Sequence, residues 1–382
     1  MTGHLRWRNR ARCGLARGAA MVLALCASRA ALSTPADRQH AFAPADIVEM
    51  LHRANNHQQA NPWRALDRNW IRGTYFTGVM AFYEATNDPS ILAQALHWSE
   101  VNGWQPGWEN SGANKLTCAQ TYLQLYFLQR DPRMIEPLIQ WLHSGHPATP
   151  TGAKVWYLEG GARYVDSLYV GAPTLAMLSA ATGDPVYLEW MDAFFWSVVD
   201  ECLDREDGLF YRDARYRGRR TAAGKKVYWS RGNGWLFAAL PRILRYLPES
   251  DPRYARYREL YGGMAAAIAA RQLASGFFCT NLADPAQFPG PETSGTGFFV
   301  YGFAWGVRHG VLERATYLPV IRNGWGALAE ALSEEGKVQW GQQVGAEPVE
   351  VAKSQSHEYV TGTFLLAGSE VLGLARAGAL LQ

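Results

Sequence analysis

The sequence predicts an all-α protein whose helices pair into hairpins that close into a ring. Three observations support this fold class. Apolar residues recur every three or four positions in about twelve segments, which is the period of amphipathic helices. No run of alternating apolar and polar residues is long enough to predict a sheet. Short turns also alternate along the chain with long connections.

The predicted helices occupy most of the chain beyond its first forty residues. Each is roughly ten to twenty residues long, within the usual range for globular proteins. In chain order they span residues 45–53, 71–86, 91–102, 116–129, 134–143, 168–182, 186–203, 236–247, 254–272, 298–308, 317–332 and 359–375.

Asp-Pro pairs fall between consecutive helices. An aspartate at the N-cap accepts from free backbone N–H groups, and a proline in the first turn loses no needed donor. The pairs are Asp88-Pro89, Asp131-Pro132, Asp184-Pro185 and Asp251-Pro252. The other connections, rich in Gly, Pro and aromatic residues, are residues 103–115, 144–165, 204–235 and 276–297. This alternation predicts an α/α toroid with its binding site at the end that carries the long connections.

The N-terminus has the pattern of a secretory signal peptide. Residues 1–30 contain six arginines and no acid, and an apolar run at 18–27 follows the first five of them. The run is shorter than the ~20 residues that span a bilayer, and small residues follow it. We expect residues 1–36 to be a signal peptide and residues 38–382 to form one domain of a periplasmic or secreted protein. The alternative is a frayed cytoplasmic N-terminus.

Composition and motifs exclude several classes of partner. Without residues 1–30 the chain has 31 basic and 34 acidic residues, so no basic stripe predicts nucleic-acid binding. Cys118, Cys202 and Cys279 are far apart, which predicts neither a disulfide framework nor a close metal-ligand pair. No phosphate-binding loop, nucleotide fingerprint or zinc motif is present. We therefore expect no metal, no cofactor and no membrane span; the oligomeric state is left open.

The stretch from Tyr228 to Trp235 (Tyr-Trp-Ser-Arg-Gly-Asn-Gly-Trp) is the most informative motif. Trp229 and Trp235 supply flat apolar rings suited to a sugar face, and Arg231 supplies a two-pronged donor for a carboxylate. The two glycines permit unusual backbone angles and close approach of a ligand. Together they predict a pocket for an acidic sugar. The alternative is an ordinary helix start with two core tryptophans and a surface arginine.

Four further side chains are candidates for the site. Asp166 begins an apolar helix after a long connection, where partial burial would raise its pKa and suit it to general acid catalysis. Arg212 lies in the connection before the tryptophan motif and is a candidate to extend the predicted carboxylate site, with a solvated charged loop as the alternative. Glu292 and His357 each precede an apolar helix. Capping or structural roles are the alternatives for Asp166, Glu292 and His357.

Four stretches together resemble glycoside hydrolase family 105, the unsaturated rhamnogalacturonyl hydrolases, which are related to the family 88 unsaturated glucuronyl hydrolases. They are the motif at 228–235, Tyr-Val-Asp-Ser-Leu-Tyr at 164–169, Glu-Thr-Ser-Gly-Thr at 292–296, and Gly-Thr-Phe-Leu-Leu-Ala-Gly-Ser-Glu at 362–370. The likeness runs from about residue 70 to residue 370. It implies a six-hairpin (α/α)6 barrel, in agreement with the twelve predicted helices.

The resemblance also implies a reaction. The substrate is an acidic oligosaccharide, cut by a polysaccharide lyase from pectin or a similar polymer, with a 4,5-unsaturated uronic acid at its non-reducing end. An aspartic acid protonates C4, water adds at C5, and the resulting hemiketal opens to release the sugar. By likeness Asp166 is the acid/base, Trp229 and Trp235 stack on sugars, Arg231 holds the uronate, and Tyr75 is a binding aromatic on the first inner helix.

Two positions depart from the family pattern. The family usually carries a second aspartate where this chain has Asn114-Lys115, and many members have a histidine where Arg212 follows Tyr211. Asn114 can orient a water but cannot take its proton, so these changes predict a shifted substrate, a different acid/base partner or lost activity. Two alternatives to the hydrolase follow: a non-catalytic binder of acidic oligosaccharides, or a sugar epimerase or isomerase on the same barrel.

Overall fold

Helices form nearly all of the regular secondary structure in the computed structural model, which describes residues 41–65, 67–109, 112–144 and 163–380. These residues lie in one compact unit, and the predicted signal peptide lies outside them. The helices are α1 (Pro44–Ala60), α2 (Trp70–Thr86), α3 (Pro89–Val101), α4 (Gly112–Lys115), α5 (Thr117–Gln129), α6 (Glu136–His143), α7 (Asp166–Val170), α8 (Ala172–Thr182), α9 (Val186–Cys202), α10 (Ser230–Leu244), α11 (Tyr254–Ala269), α12 (Thr293–Arg308), α13 (Arg314–Ala331) and α14 (Glu358–Arg376). Strands β1 (Leu203–Asp204) and β2 (Leu209–Phe210) form a small antiparallel hairpin.

Six of the helices form a closed inner ring. Each packs on the next in the order α2, α5, α8, α10, α12 and α14, and α14 packs back on α2. A second helix packs on the outside of five of these: α3 on α2, α9 on α8, α11 on α10, α13 on α12 and α1 on α14. The predicted all-α toroid is therefore confirmed, and every predicted helix corresponds to an observed one.

The aspartates of the Asp-Pro pairs accept from backbone amides just before outer helices, at one end of the ring. Asp88 accepts from the Ser90 amide at 2.8 Å and Asp131 from the Arg133 amide at 3.0 Å. Asp184 accepts from the Val186 amide at 2.9 Å. Asp88 is thus the predicted N-cap of α3, and Asp131 caps the 3-10 turn before α6. The prediction was wrong for Asp184 and Asp251, because the N-caps of α9 and α11 are Pro185 and Arg253. We call this end, where short connections join inner to outer helices, the short-turn end.

The tryptophan motif lies within a helix, contrary to the prediction that α10 begins near residue 236. Helix α10 begins at Ser230, and Gly232 and Gly234 are both helical. Neither has a positive φ angle. A Cβ atom on Gly234 would lie 3.1 Å from the Phe298 side chain of α12. Gly234 therefore allows two inner helices to pack closely, and the expected unusual backbone angles are absent there.

The N-termini of all six inner helices point toward the opposite end of the ring, which we call the long-connection end. Parallel helix dipoles bring partial positive charge to that end, which favours anionic ligands. A buried ion pair joins the first and last inner helices there: Arg72 Nε donates to Glu358 Oε2 at 2.7 Å. In the part of the chain that the structure describes, no helix is long and apolar enough to cross a membrane.

Candidate active site

Asp166 is a carboxyl group with unusual surroundings at the long-connection end. It begins α7, the short helix that leads into inner helix α8. Its Oδ2 accepts from Arg212 Nε at 3.1 Å, and its side chain is 14% exposed. Its Oδ1 is buried and has no hydrogen-bond partner in the described structure. One oxygen is thus held in place while the other is available to a proton or a ligand.

Burial sets the protonation of Asp166. Loss of solvent raises the pKa of its carboxyl group above the usual value, against the opposing attraction of Arg212 and Arg231. The raised pKa keeps more of the carboxyl protonated near neutral pH than an exposed aspartate would be. This is the property that a general acid needs.

Arg212 also binds a second carboxylate, Asp213, whose pKa is shifted in the direction opposite to that of Asp166. Its Nη1 donates to Asp213 Oδ2 at 2.7 Å, and Arg215 Nη2 donates to the same oxygen at 2.8 Å. Burial opposes ionisation of Asp213, but these donors lower its pKa to about 2. Asp213 therefore stays ionised, while the raised pKa of Asp166 suits it to donate a proton. The two carboxyl groups thus have different roles.

Asn114 stands where the family usually carries a second aspartate, and it lies beside Asp166 and Arg212. Asn114 on α4 is half-buried, and its Oδ1 accepts from the Tyr164 hydroxyl at 3.1 Å. The Tyr164 ring in turn lies 4.4 Å under the Arg212 guanidinium. Asn114 and Arg212 thus belong to one cluster with Asp166, as predicted. Lys115 instead lies near Trp141, with its Nζ 5.4 Å from the centre of that ring.

Arg231 provides a fixed positive charge next to Asp166. It is 1% exposed, and its Nη1 and Nη2 donate to the carbonyl oxygens of Gln342 and Gln343 at 2.7 and 2.9 Å. Its guanidinium lies 4.5 Å from the Trp229 ring centre and 5.0 Å from that of Tyr359. None of the described carboxylates forms an ion pair with it. A buried cation without a counter-charge attracts an anionic ligand.

The two tryptophans of the motif require a correction. Trp229 and Trp235 are each 2% exposed, so neither presents the open ring face that was predicted for sugar stacking. Trp229 Nε1 donates to Gln342 Oε1 at 2.8 Å, which fixes the ring against Arg231. Trp235 packs on Phe298, with ring centres 4.5 Å apart. Both rings support the site from within the core.

Tyr75 also requires a correction. It is 3% exposed, its hydroxyl donates to Asn55 on α1 at 2.6 Å, and it accepts from Gln94 on α3 at 2.8 Å. These partners belong to outer helices, so Tyr75 faces away from the Asp166 cluster. The aromatic ring of α2 that faces the site is Trp70, which stacks on Tyr359 with ring centres 5.4 Å apart. Trp70 was not among the residues predicted for the site, although its place at the start of α2 was a usable signal.

His357 is the N-cap of α14, the last inner helix, and lies close to Arg231 and Tyr359. Its Nδ1 accepts from the Glu358 amide at 2.9 Å, and its ring stacks on Tyr359 at 5.0 Å. Because Nδ1 is an acceptor, Nε2 carries the proton of the neutral ring. Burial, with repulsion from Arg231, lowers the pKa of His357 to about 4. His357 therefore offers a neutral donor at physiological pH.

The low pKa of His357 makes stability depend on pH. An unfolded histidine takes up its proton near pH 6.5, while folded His357 takes it up only near pH 4, so the unfolded state binds more protons between these values. Stability is therefore expected to fall as pH is lowered from about 6.5 to about 4, by roughly 1–2 kcal/mol from this half-buried group. Urea unfolding at pH 7 and pH 5 should show a smaller loss in His357→Gln than in the wild type. An unchanged loss in His357→Gln, or an equal effect in the exposed control His97→Gln, would contradict this assignment.

Two other groups of acids have structural roles. Glu292 is the N-cap of α12 and accepts from the amides of Ser294 and Gly295 at 2.8 and 2.7 Å. It therefore has the capping role that was the alternative to a place in the site. Asp204, Glu206 and Asp207 lie close enough together to suggest a cation site. Lys226 Nζ occupies their centre, at 2.7 to 2.9 Å from all three.

Comparison with known proteins places the chain among carbohydrate-active enzymes. The model of Glycosyl Hydrolase Family 88 matches residues 46–375. The chain is 33% identical over 348 residues to an unsaturated 3S-rhamnoglycuronyl hydrolase from Alteromonas sp. (strain LOR), covering 87% of this chain and 82% of the relative. It is 29% identical over 374 residues to a protein of the same name from Formosa agariphila, covering 92% and 98%. A solved family 88 glycosyl hydrolase from Bacteroides vulgatus matches with a TM-score of 0.79 at 31% identity, over 87% of this chain and 99% of the other.

These matches extend over the ring and over every element that carries the Asp166 cluster. The toroid, the buried carboxyl group and the related hydrolases together define a glycosidase. The chain belongs to Glycosyl Hydrolase Family 88. The resemblance drawn from the sequence motifs, to family 105 and its relative family 88, is confirmed.

Proposed function

We propose that this protein removes a 4,5-unsaturated uronic acid from the non-reducing end of acidic oligosaccharides produced by a polysaccharide lyase. The observation that carries the proposal is that Asp166 lies within the electrostatic influence of Arg231 without forming an ion pair with it. Asp166 has one buried oxygen without a partner, and Arg231 is a buried cation held only by carbonyl oxygens and ring faces. A carboxylate-bearing sugar with an electron-rich double bond fits a positive charge beside a proton donor.

The reaction follows from this geometry. The protonated Asp166 carboxyl gives its proton to C4 as the oxygen of a water bonds to C5, and the ionised carboxylate then takes a proton from that water. The product is a hemiketal at C5. When its ring opens, C1 becomes a hemiacetal that expels the neighbouring sugar as an alcohol. Water is consumed once, and Asp166 ends in its starting state.

Asp166 serves as both acid and base in this scheme because no other carboxylate of the cluster is free to act. Asp213 is 1% exposed and is tied to both Arg212 and Arg215. Asn114 cannot accept a proton at neutral pH, and its Oδ1 accepts from Tyr164. A single carboxyl group explains how the family reaction proceeds where the second aspartate is absent.

The sugar next to the uronate is the least constrained part of the substrate. The relatives from Alteromonas and Formosa are both named for an unsaturated 3S-rhamnoglycuronyl substrate. Those names favour a rhamnose-linked substrate among the possibilities, which also include a second uronate or another sulfated sugar. A useful panel therefore contains unsaturated oligosaccharides with rhamnose in sulfated and unsulfated form, beside pectin-derived products.

The activity is tested by following the ultraviolet absorbance of the conjugated double bond. We expect the absorbance to decay with at least one member of the panel, and mass spectrometry to show the addition of one water and cleavage. Saturable binding without decay across the panel would favour the non-catalytic binder. A product of unchanged mass would favour the epimerase or isomerase.

A further inference from the structure

Two tryptophans are unusually exposed at the long-connection end of the ring. Trp63 is 44% exposed and Trp108 is 52% exposed, although large aromatic side chains are mostly buried. Trp63 lies in the connection between α1 and α2, and Trp108 in that between α3 and α4. Two different connections therefore place indole rings on the surface at the end that carries the active site.

The side chain of Arg64 connects the two rings. Its guanidinium lies 4.1 Å from the Trp63 ring centre and 5.9 Å from that of Trp108. The nearly buried Asp67 holds the group together: Trp108 Nε1 donates to its Oδ1 at 2.9 Å, and Arg64 Nη1 lies 3.7 Å from its Oδ2. The indole N–H of Trp108 is thus satisfied internally, which leaves its exposed ring surface for apolar contact.

The backbone under Trp63 is anchored to the core. The Trp63 amide donates to Glu358 Oε1 at 2.8 Å, and Arg72 Nη2 donates to the Arg64 carbonyl oxygen at 2.6 Å. Glu358 and Arg72 are the buried ion pair that joins α14 to α2. A surface that is fixed before binding loses less conformational entropy when a ligand binds.

A continuous row of side chains leads from this pair to the catalytic cluster. Trp63 lies 5.2 Å from His357 between ring centres, and His357 stacks on Tyr359 at 5.0 Å. Tyr359 lies 5.0 Å from the Arg231 guanidinium. A cavity of about 390 Å³ is lined by Trp63 and His357. This row of contacts places Trp63 three side chains away from Arg231, at the rim of the same end of the ring.

We propose that Trp63 and Trp108 form an outer subsite that binds the third and fourth sugars of the substrate. This inference rests on the proposed function, since it assumes that an oligosaccharide occupies the catalytic cluster. The apolar face of a pyranose ring matches an exposed indole, and the Arg64 guanidinium lies 4.1 Å and 5.9 Å from the centres of the two rings, so one oligosaccharide can contact both. The enzyme would then prefer unsaturated tetrasaccharides to disaccharides.

The test compares an unsaturated disaccharide with a tetrasaccharide of the same repeat, by loss of ultraviolet absorbance. We expect Trp63→Ala and Trp108→Ala each to raise KM for the tetrasaccharide about tenfold, which corresponds to ~1.4 kcal/mol of binding. The kcat should be unchanged because the lost contact is equal in the ground and transition states. The KM for the disaccharide should not change, and Trp63→Phe should restore most of the tetrasaccharide affinity.

Leu128→Ala is the matched control, since Leu128 is 50% exposed on α5 at the short-turn end. Equal KM values for the two substrates in the wild type, or losses of equal size with both substrates in the variants, would overturn the outer subsite while leaving the hydrolase intact. Absence of turnover with either substrate would instead mark failure of the proposed function. In that case, tetrasaccharide binding by calorimetry still decides the subsite, since only Trp63 and Trp108 variants should weaken it.

Discussion

Asp166→Asn is expected to lower turnover of the unsaturated substrate by about 10³-fold or more, which is within the range of general acid–base catalysis. An amide of the same shape keeps the hydrogen bond to Arg212 through its oxygen, but it has no acidic proton to give to C4. Binding should survive within a few-fold because Arg231 and the surrounding rings are untouched. The measurement is kcat by absorbance decay, with Kd by calorimetry on the same variant.

The control for this substitution is Asp251→Asn. Asp251 is also a carboxylate paired with an arginine, with Arg253 Nη2 at 2.6 Å and 12% exposure of the side chain, but it lies at the short-turn end. We expect its variant to retain wild-type kcat. Retained activity in Asp166→Asn would remove Asp166 from the catalytic role and would direct attention to Asp213 as the remaining carboxylate of the cluster.

The periodicity of the sequence predicted the helices well. The outer helices bury one face, which carries apolar residues at every third or fourth position, whereas inner helices such as α10 and α12 are buried on nearly all sides. The helix starts were harder to predict. Helix α10 begins six residues before its predicted start, because Ser230, Arg231 and Asn233 interrupt the apolar pattern yet are all buried. Arg231 serves the site and Asn233 binds the backbone of β2, so polar side chains with specific partners interrupt the apolar pattern there.

The residues of the site were predicted unevenly for a related reason. Asp166 and His357 were proposed from their places at helix starts, Arg212 and Arg231 as donors for a carboxylate, and Asn114 from its departure from the family pattern. The structure places Asp166, Arg212 and Asn114 in one cluster. Trp229, Trp235 and Tyr75 were assigned to sugar contact because an aromatic ring suits both a sugar and a core. Only tertiary packing decides which role it has, and here the exposed rings are Trp63 and Trp108. No local pattern in the sequence distinguishes them from buried tryptophans.

The protonation of Asp166 depends on a balance that one substitution can shift. Burial raises the pKa of its carboxyl group, whereas the nearby Arg212 and Arg231 lower it. The acid is active while protonated, so kcat/KM should fall as pH rises through this pKa. Loss of Arg212 would remove a positive charge that stabilises the ionised form of Asp166, and the effect of burial on its pKa would be less opposed. The pKa of Asp166 would then rise further.

Arg212→Gln is accordingly expected to move the alkaline limb of the pH profile to higher pH and to lower kcat by about 10²-fold. The rate falls because Nε of Arg212 no longer orients Oδ2, and general acid catalysis depends on that orientation. Arg215→Gln is the matched control, since Arg215 donates to Asp213 but is 71% exposed and makes no contact with Asp166. A profile of kcat/KM against pH for both variants separates the two effects. An alkaline limb that stays in place in Arg212→Gln, or that moves equally in Arg215→Gln, would show that Arg212 does not set the pKa of Asp166.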